Sequence, residues 1–373
     1  MKSRKSLVFD FSIIILALGH AMEVSQVLKD YYVTVRFPWM MAMLVLMLCN
    51  ILTLSAPLKH IFIYYLFISI GVYESVSLGR NWILYLSYIL FFIWNKDIDH
   101  IVKLILCCTG IVYWINVSAF VICYLLKPGM LTAIDGVRYN LFCWQHPNQG
   151  GRQFIFCSMM YIYLHFHQLN WRYWAGTAVA ATCVYFFTRS DAVVVLAIPY
   201  IAWLLKDTRK VHLVFRFFTK YGILLILPVS FTYFALDMVP ALRGVYNLLD
   251  KLTTGRMTLG AQGVKLYGIT WFGVDMTFKI VNGRLLYVDN AYLYMFVYSG
   301  AFFILPLAFI FALASKKLEY RGLVLAVVYI LYGFIETGIF DMFAYPAIMV
   351  AMHSIYKKNA AVSLSPLRRC AVV

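Results

Sequence analysis

Long continuous runs of apolar residues, interrupted by short polar breaks, occupy most of the chain. They predict helices at about 8–24, 37–55, 60–77, 81–95, 101–126, 150–168, 171–187, 190–205, 213–236, 288–314, 321–338 and 341–356. A helix needs about 20 apolar residues to cross a bilayer, whereas a barrel strand alternates apolar and polar positions over about ten. The runs here are continuous rather than alternating, so the helical solution follows. The expected fold class is an all-α polytopic integral membrane protein of about 12 transmembrane helices. It forms a single polytopic membrane domain over 1–373, with an external loop at 127–149 and a large external loop with an amphipathic segment at 237–288. The chain opens MKSRKSLVFDF with no small-residue cleavage site behind it, so the first apolar segment is expected to be a retained helix.

Composition reinforces this class: 63% of residues are hydrophobic and only 13% are charged. Soluble domains carry about 45–50% apolar and about 25% charged residues. The distribution of Lys and Arg then sets the orientation. With both termini cytoplasmic, 19 of the 32 basic residues fall on the inside. These serve as topology anchors beside anionic headgroups. Six of the remaining basic residues, Arg243, Lys251, Arg256, Lys265, Lys279 and Arg284, crowd into the 237–288 loop against that bias, and they ask for an anionic partner outside. No nucleic-acid-binding fold is present, so a phosphate-bearing lipid at the outer membrane face suits the position better than a nucleic acid. The cysteines are placed mostly within predicted spans, where cysteine behaves as a small hydrophobe, and no CxxC pair points to a metal. Cys143 is the one cysteine expected in an external loop.

Candidate chemistry is confined to a few polar segments. The first external loop carries Arg138 and the stretch CWQHPNQGGRQF, where Pro147 biases His146 away from helix and Gly150 with Gly151 permit a sharp return. His146, Asn148 and Arg152 are thereby expected at the mouth of a helix, and Asn148 as an N-cap accounts for the same pattern without any ligand. TRSDAVVV places Arg189 in a short external turn; a helix start capped by Ser190 or Asp191, with Arg189 snorkelling, accounts for it equally. Glu23, Glu74 and Glu336 fall at outer helix ends and are expected in solvent. In the second loop, TTGRMTLGAQGVKLYGITWFG precedes VDNAYLYMFVYSG. Met257, Leu259, Val264, Leu266, Tyr267, Ile269, Trp271 and Phe272 fit a shallow amphipathic helix against the membrane. Arg256 offers a planar fork of five donors suited to phosphate. Asp289 reads as a polar helix start as readily as a catalytic base, and Asn290 beside it is a typical cap.

The order of these segments resembles the Wzy-type polysaccharide polymerases of the O-antigen polymerase and ligase superfamily. The resemblance rests on an external HPN segment after the fifth span, the TRS turn, a GR-led segment closing in YGITWFG, and VDNAYLYMFVYSG. It implies a GT-C-like glycosyltransferase architecture and a metal-independent enzyme without cofactors. Its substrate is an undecaprenyl-pyrophosphate-linked oligosaccharide, handled at the outer face of the bacterial cytoplasmic membrane. The growing glycan is transferred to a hydroxyl of an incoming lipid-linked repeat unit for capsule, exopolysaccharide or O-antigen. A chain-length regulator and a flippase are implied as partners. Carried over to this chain, Asp289, Arg256 and Arg189 are the expected catalytic residues, with Asp289 standing where the ligases of the superfamily have a histidine. Arg138, His146, Asn148, Arg152, Tyr292, Tyr294 and Arg284 are the expected substrate contacts. An aromatic-belt role accounts for the two tyrosines as well. A ligase of the same superfamily and a flippase or transporter are the competing functions. Mid-span charges are almost absent from the sequence, which weighs against transport.

Overall fold

A computed structural model describes residues 4–25, 27–52, 65, 68–69, 71–73, 76–77, 86–90, 93, 96–126, 133–134, 137–138, 147–188, 190–252, 255–274, 280–281, 284–285, 288, 290–334, 336 and 346–364. The fold is mainly helical, as the apolar runs require. Among the described residues two helical stretches, Ile98–Cys123 and Arg209–Thr232, are long and apolar enough to cross a membrane, and further apolar helices are shorter. The expected spans at 60–77 and 81–95 fall largely outside the described residues. Large apolar side chains stand exposed along these helices, among them Phe37, Trp114, Leu125, Phe186 and Phe309. An apolar exterior of that extent is what a hydrocarbon surround demands and water penalises.

The chain divides into two compact units. In the first, α1 (Arg4–Glu23) packs on α2 (Lys29–Leu52) and on α3 (Ile98–Leu126), and α3 packs on α4 (Pro147–His165). α4 in turn meets α5 (Trp171–Thr188) and a 3-10 helix (Asp191–Leu196), which runs on into α6 (Ala197–Leu204). Helix starts follow local chemistry: Asp97 Oδ1 accepts the backbone N–H groups of Asp99 at 3.1 Å and His100 at 3.4 Å, and Asn170 Oδ1 accepts that of Tyr173 at 3.1 Å. Each side chain satisfies donors that the first helical turn cannot satisfy itself. Deeper in, Ser25 Oγ donates to Asn116 Oδ1 at 2.7 Å, a buried bond that ties the loop after α1 to α3.

In the second unit α7 (Arg209–Met238) is the central helix. Around it pack α8 (Arg243–Leu252), α9 (Arg256–Tyr267), α10 (Ala291–Tyr298), α11 (Ala301–Ala314) and α12 (Tyr320–Tyr332), while α13 (Ala347–Leu364) packs on α11 and α12. A Cβ at Gly222 of α7 would lie 2.8 Å from Ile330 Cγ2, so glycine is what lets α7 and α12 approach this closely. Tyr246, Met257, Val264, Val288, Leu293 and Val297 form a buried cluster joining α8, α9 and α10.

Several expectations need correction. The run 288–314 is not one helix: it breaks between α10 and α11 at Ser299 and Gly300, where Gly300 adopts φ 75°. The run 190–205 opens as a 3-10 helix with no side-chain cap from Ser190, whose N–H is instead accepted by Thr188 Oγ1 at 3.2 Å. Asn148 is not a cap either, because α4 already starts at Pro147; proline is favoured in a first helical turn, where its missing N–H costs nothing. Glu336 is buried, 8% exposed, rather than in solvent; its N–H bonds the carbonyl of Tyr332 at 3.1 Å, four residues back, which extends the last turn of α12.

Both expected external loops also contain a short antiparallel hairpin. β1 (Ala133–Ile134) pairs with β2 (Val137–Arg138), Ala133 opposite Arg138. β3 (Ile280–Val281) pairs with β4 (Arg284–Leu285), Val281 opposite Arg284. The residues between the strands are Asp135 and Gly136 in one case and Asn282 and Gly283 in the other. These are the pairs that two-residue hairpin turns favour.

Candidate functional site

In the first unit, residues from two motifs remote in sequence come together. A Cβ at Gly151 would lie 2.6 Å from both Cβ and Oγ of Ser190, a separation that no real side chain tolerates. The start of α4, which carries the HPN segment, therefore presses its glycine face directly on the TRS turn. Asn148 and Arg152 sit on the first turns of this helix, both partly buried. Arg138 lies on β2 of the hairpin preceding it. His146 and Arg189 fall outside the described residues, although their chain neighbours Pro147, Thr188 and Ser190 are placed. Thr188 and Ser190 are buried, 1% and 3% exposed, so the backbone on either side of Arg189 is held by packing.

Gln153, one position after Arg152, escaped the sequence reading. It is 1% exposed, and both its amide oxygen and its amide nitrogen are buried with no hydrogen-bond partner among the described residues. Buried amides are nearly always bonded, so its position beneath the HPN segment marks a polar requirement there. A glutamine inside an apolar helical run is the signal that was available.

The second unit places Arg256 at the first position of α9, partly buried. The preceding Gly255 adopts φ 85°, a left-handed conformation at the entrance to α9. Its N–H donates to the Asp250 carbonyl at 2.8 Å. The Asp250 carboxylate then reaches across to the next helix, accepting from the Thr258 N–H and the Thr258 hydroxyl, each at 2.8 Å. Tyr246 Oη and Thr258 Oγ1 are 2.9 Å apart. Asp250 is thus a cap supplied by the previous helix, and a carboxylate at a helix N-terminus is favoured by the macrodipole. It fixes the backbone from which Arg256 projects.

α9 is not the shallow amphipathic helix expected. Met257, Gly260, Ala261, Gly263 and Val264 are buried, and a Cβ at Gly263 would come within 2.5 Å of Val288 Cγ2. Of the expected stripe, Leu266 is exposed within the helix, while Ile269, Trp271 and Phe272, also exposed, lie beyond its end. The glycines of YGITWFG and YSG have a different job. Gly273 and Gly300 both have positive φ, and a Cβ on Gly273 would stand 2.0 Å from the Tyr298 carbonyl oxygen. Val274 N–H donates to the Val297 carbonyl, Ala301 N–H to that of Thr270, and Phe302 N–H to that of Trp271. The two motifs interlock as a backbone clasp that supplies partners for the broken α10–α11 junction.

Beside this clasp, Asn290 caps α10. Its Oδ1 accepts from the N–H groups of Tyr292 and Leu293, both at 3.0 Å, and its Nδ2 donates to Ser230 Oγ on α7 at 3.0 Å. Asp289 lies outside the described residues, between the placed Val288 and Asn290. Tyr292 is fully buried and its hydroxyl donates to the Ile330 carbonyl at 2.7 Å, so its ring belongs to the core rather than to a sugar-facing surface. Tyr294 is partly buried and stacks on Tyr298 with ring centroids 5.0 Å apart. Arg284 lies on β4 of the second hairpin. No family model matches the chain, and no curated protein or solved structure matches it either.

Proposed function

We propose that this chain is a glycan polymerase of the bacterial cytoplasmic membrane, with about twelve spans and its reactive residues on the outer face. The observation that carries the reading is the packing of Gly151 on Ser190, which joins the HPN helix to the TRS turn as a functional grouping of those segments requires. The basic external segments support it by their chemistry: Arg138 and Arg284 each occupy the second strand of a hairpin, and Arg256 leads a capped helix.

In the proposed reaction, a hydroxyl oxygen of the incoming lipid-linked repeat unit attacks the anomeric carbon of the growing glycan. The bond from that carbon to the pyrophosphate oxygen breaks, and undecaprenyl pyrophosphate leaves with the electron pair. Asp289 takes the hydroxyl proton; a positioned base contributes about 10²–10⁴ in rate. Arg189 and Arg256 hold the pyrophosphate and offset its charge as it departs. Arg138, Arg284, His146, Asn148, Arg152 and Tyr294 bind the glycan and its phosphates. Tyr292 acts through the fold of α10.

The deciding experiment is the analysis of lipid-linked glycans in a strain lacking the gene. Accumulation of single repeat units on the outer-leaflet carrier is the expected result. Finished polymer on the carrier would instead indicate a ligase, and repeat units confined to the inner leaflet a flippase.

A further inference from the structure

A groove of about 940 Å³ runs between α5 and the segment formed by the 3-10 helix and α6. Its lining is apolar and partly small: Ala175, Ala178 and Ala181 from α5 face Val194 and Leu196 from the 3-10 helix. Small residues ordinarily let a neighbouring helix approach. Here Ala178 is exposed and the space above it is open. The surface around the groove is hydrocarbon-like, with Val179 65% and Val194 72% exposed, and Ile201 and Leu204 beside them.

One end of the groove has a different character. Trp174 lies 5.3 Å from Tyr200 and 5.9 Å from Trp203 between ring centroids, and Tyr200 stacks on Trp203. Such an aromatic cluster is typical of the level where acyl chains meet headgroups. Trp174 is 6% exposed, and its indole Nε1 is buried with no hydrogen-bond partner among the described residues. Exposed Trp171 lies at the same end, with the Arg172 guanidinium 5.8 Å from its ring centroid. The orientation bias puts this end at the cytoplasmic face.

We propose that the groove holds one acyl chain of an anionic phospholipid from the inner leaflet. The chain lies along Ala175, Ala178 and Ala181, the Trp174 N–H donates to an ester oxygen, and Arg172 meets the headgroup phosphate. The proposal rests on the membrane-spanning reading and is independent of the polymerase reaction, since its test involves no glycan. Charge complementarity at Arg172 and the hydrocarbon surface around the groove both select a lipid as occupant.

The test is native mass spectrometry of the detergent-purified full chain titrated with phosphatidylglycerol or phosphatidylethanolamine. The wild type is expected to retain one phosphatidylglycerol in preference to phosphatidylethanolamine. Ala178→Phe, which fills the groove, is expected to lose the bound-lipid peak, and Arg172→Gln to keep a lipid but lose the headgroup preference. Unchanged retention in Ala178→Phe, stronger retention of a polyprenyl phosphate, or a wild-type dimer that Ala178→Phe dissociates would each overturn the proposal. A measurement needing no variant completes it: phosphatidylglycerol with brominated acyl chains is expected to quench the tryptophan fluorescence of the wild type more than the matching phosphatidylethanolamine. Equal quenching would refute the preference.

Discussion

At the scale of single residues, one side chain proposed to do chemistry, Arg256, stands on a helix start built by residues that do none. Arg256 is positioned by the Asp250 cap and the left-handed Gly255. If its planar fork is what grips pyrophosphate, Arg256→Lys should shorten the polymer nearly as much as Arg256→Ala, because a point charge does not reproduce two parallel hydrogen bonds. Polymer length in a complementation assay measures this, and near-normal chains from the Lys variant would refute the bidentate grip. Asn290 has a structural burden instead: loss of a helix cap costs about 0.5–2 kcal/mol. Asn290→Ala also strips Ser230 Oγ of its donor, so a lowered melting temperature in detergent is expected, with Asn290→Asp retaining the cap to the backbone. Lys96 reports on burial. Its amine is held below the ordinary 10.5, first by desolvation, with the Asp10 carboxylate opposing. The unfolded chain then binds the proton more tightly than the folded one, so this residue's contribution to stability grows as pH rises toward 10.5. Lys96→Met should flatten that part of the curve of melting temperature against pH.

At the scale of elements, the break between α10 and α11 is the feature on which the second unit turns. Gly300 occupies an extended conformation at positive φ that side-chain-bearing residues avoid, and a Cβ there would stand 2.3 Å from the Trp271 carbonyl oxygen. Gly300→Ala is therefore expected to cost at least about 1–3 kcal/mol from backbone strain, with the collision in addition. Loss of folded protein on size exclusion is the readout, and a wild-type profile would show that the clasp is dispensable. This junction was hard to read from the sequence because the run 288–314 is apolar on both sides of Gly300. Apolar residues continue through a break when a neighbouring segment supplies the missing hydrogen bonds. The two hairpins were more accessible: the Asp-Gly and Asn-Gly pairs stand in the sequence, and alternation is kept on one flank of each, from Val137 to Leu141 and from Met276 to Ile280, but not on the other.

At the scale of the whole molecule, the expected topology is checked with the protein's own thiols. A membrane-impermeant maleimide applied to intact spheroplasts should label Cys143, in the loop 127–149 expected outside, and leave Cys370 unlabelled until the membrane is opened. Labelling of Cys370 from outside would reverse the assigned orientation. The sequence by itself determined that the chain is helical and rich in lipid-compatible surface, because continuous apolar runs leave a backbone few other ways to satisfy its polar groups in hydrocarbon. It also marked the polar segments where the proposed chemistry is concentrated, since charge is costly elsewhere in such a chain. Only the tertiary structure decided what the residues within those segments do. Gly151 meets Ser190, Asp250 caps the helix of Arg256, Gly273 and Gly300 interlock, and Tyr292 turns inward to Ile330. Each of these depends on which backbone lies opposite. Composition and local propensity cannot encode a contact that exists only once two distant segments have packed together.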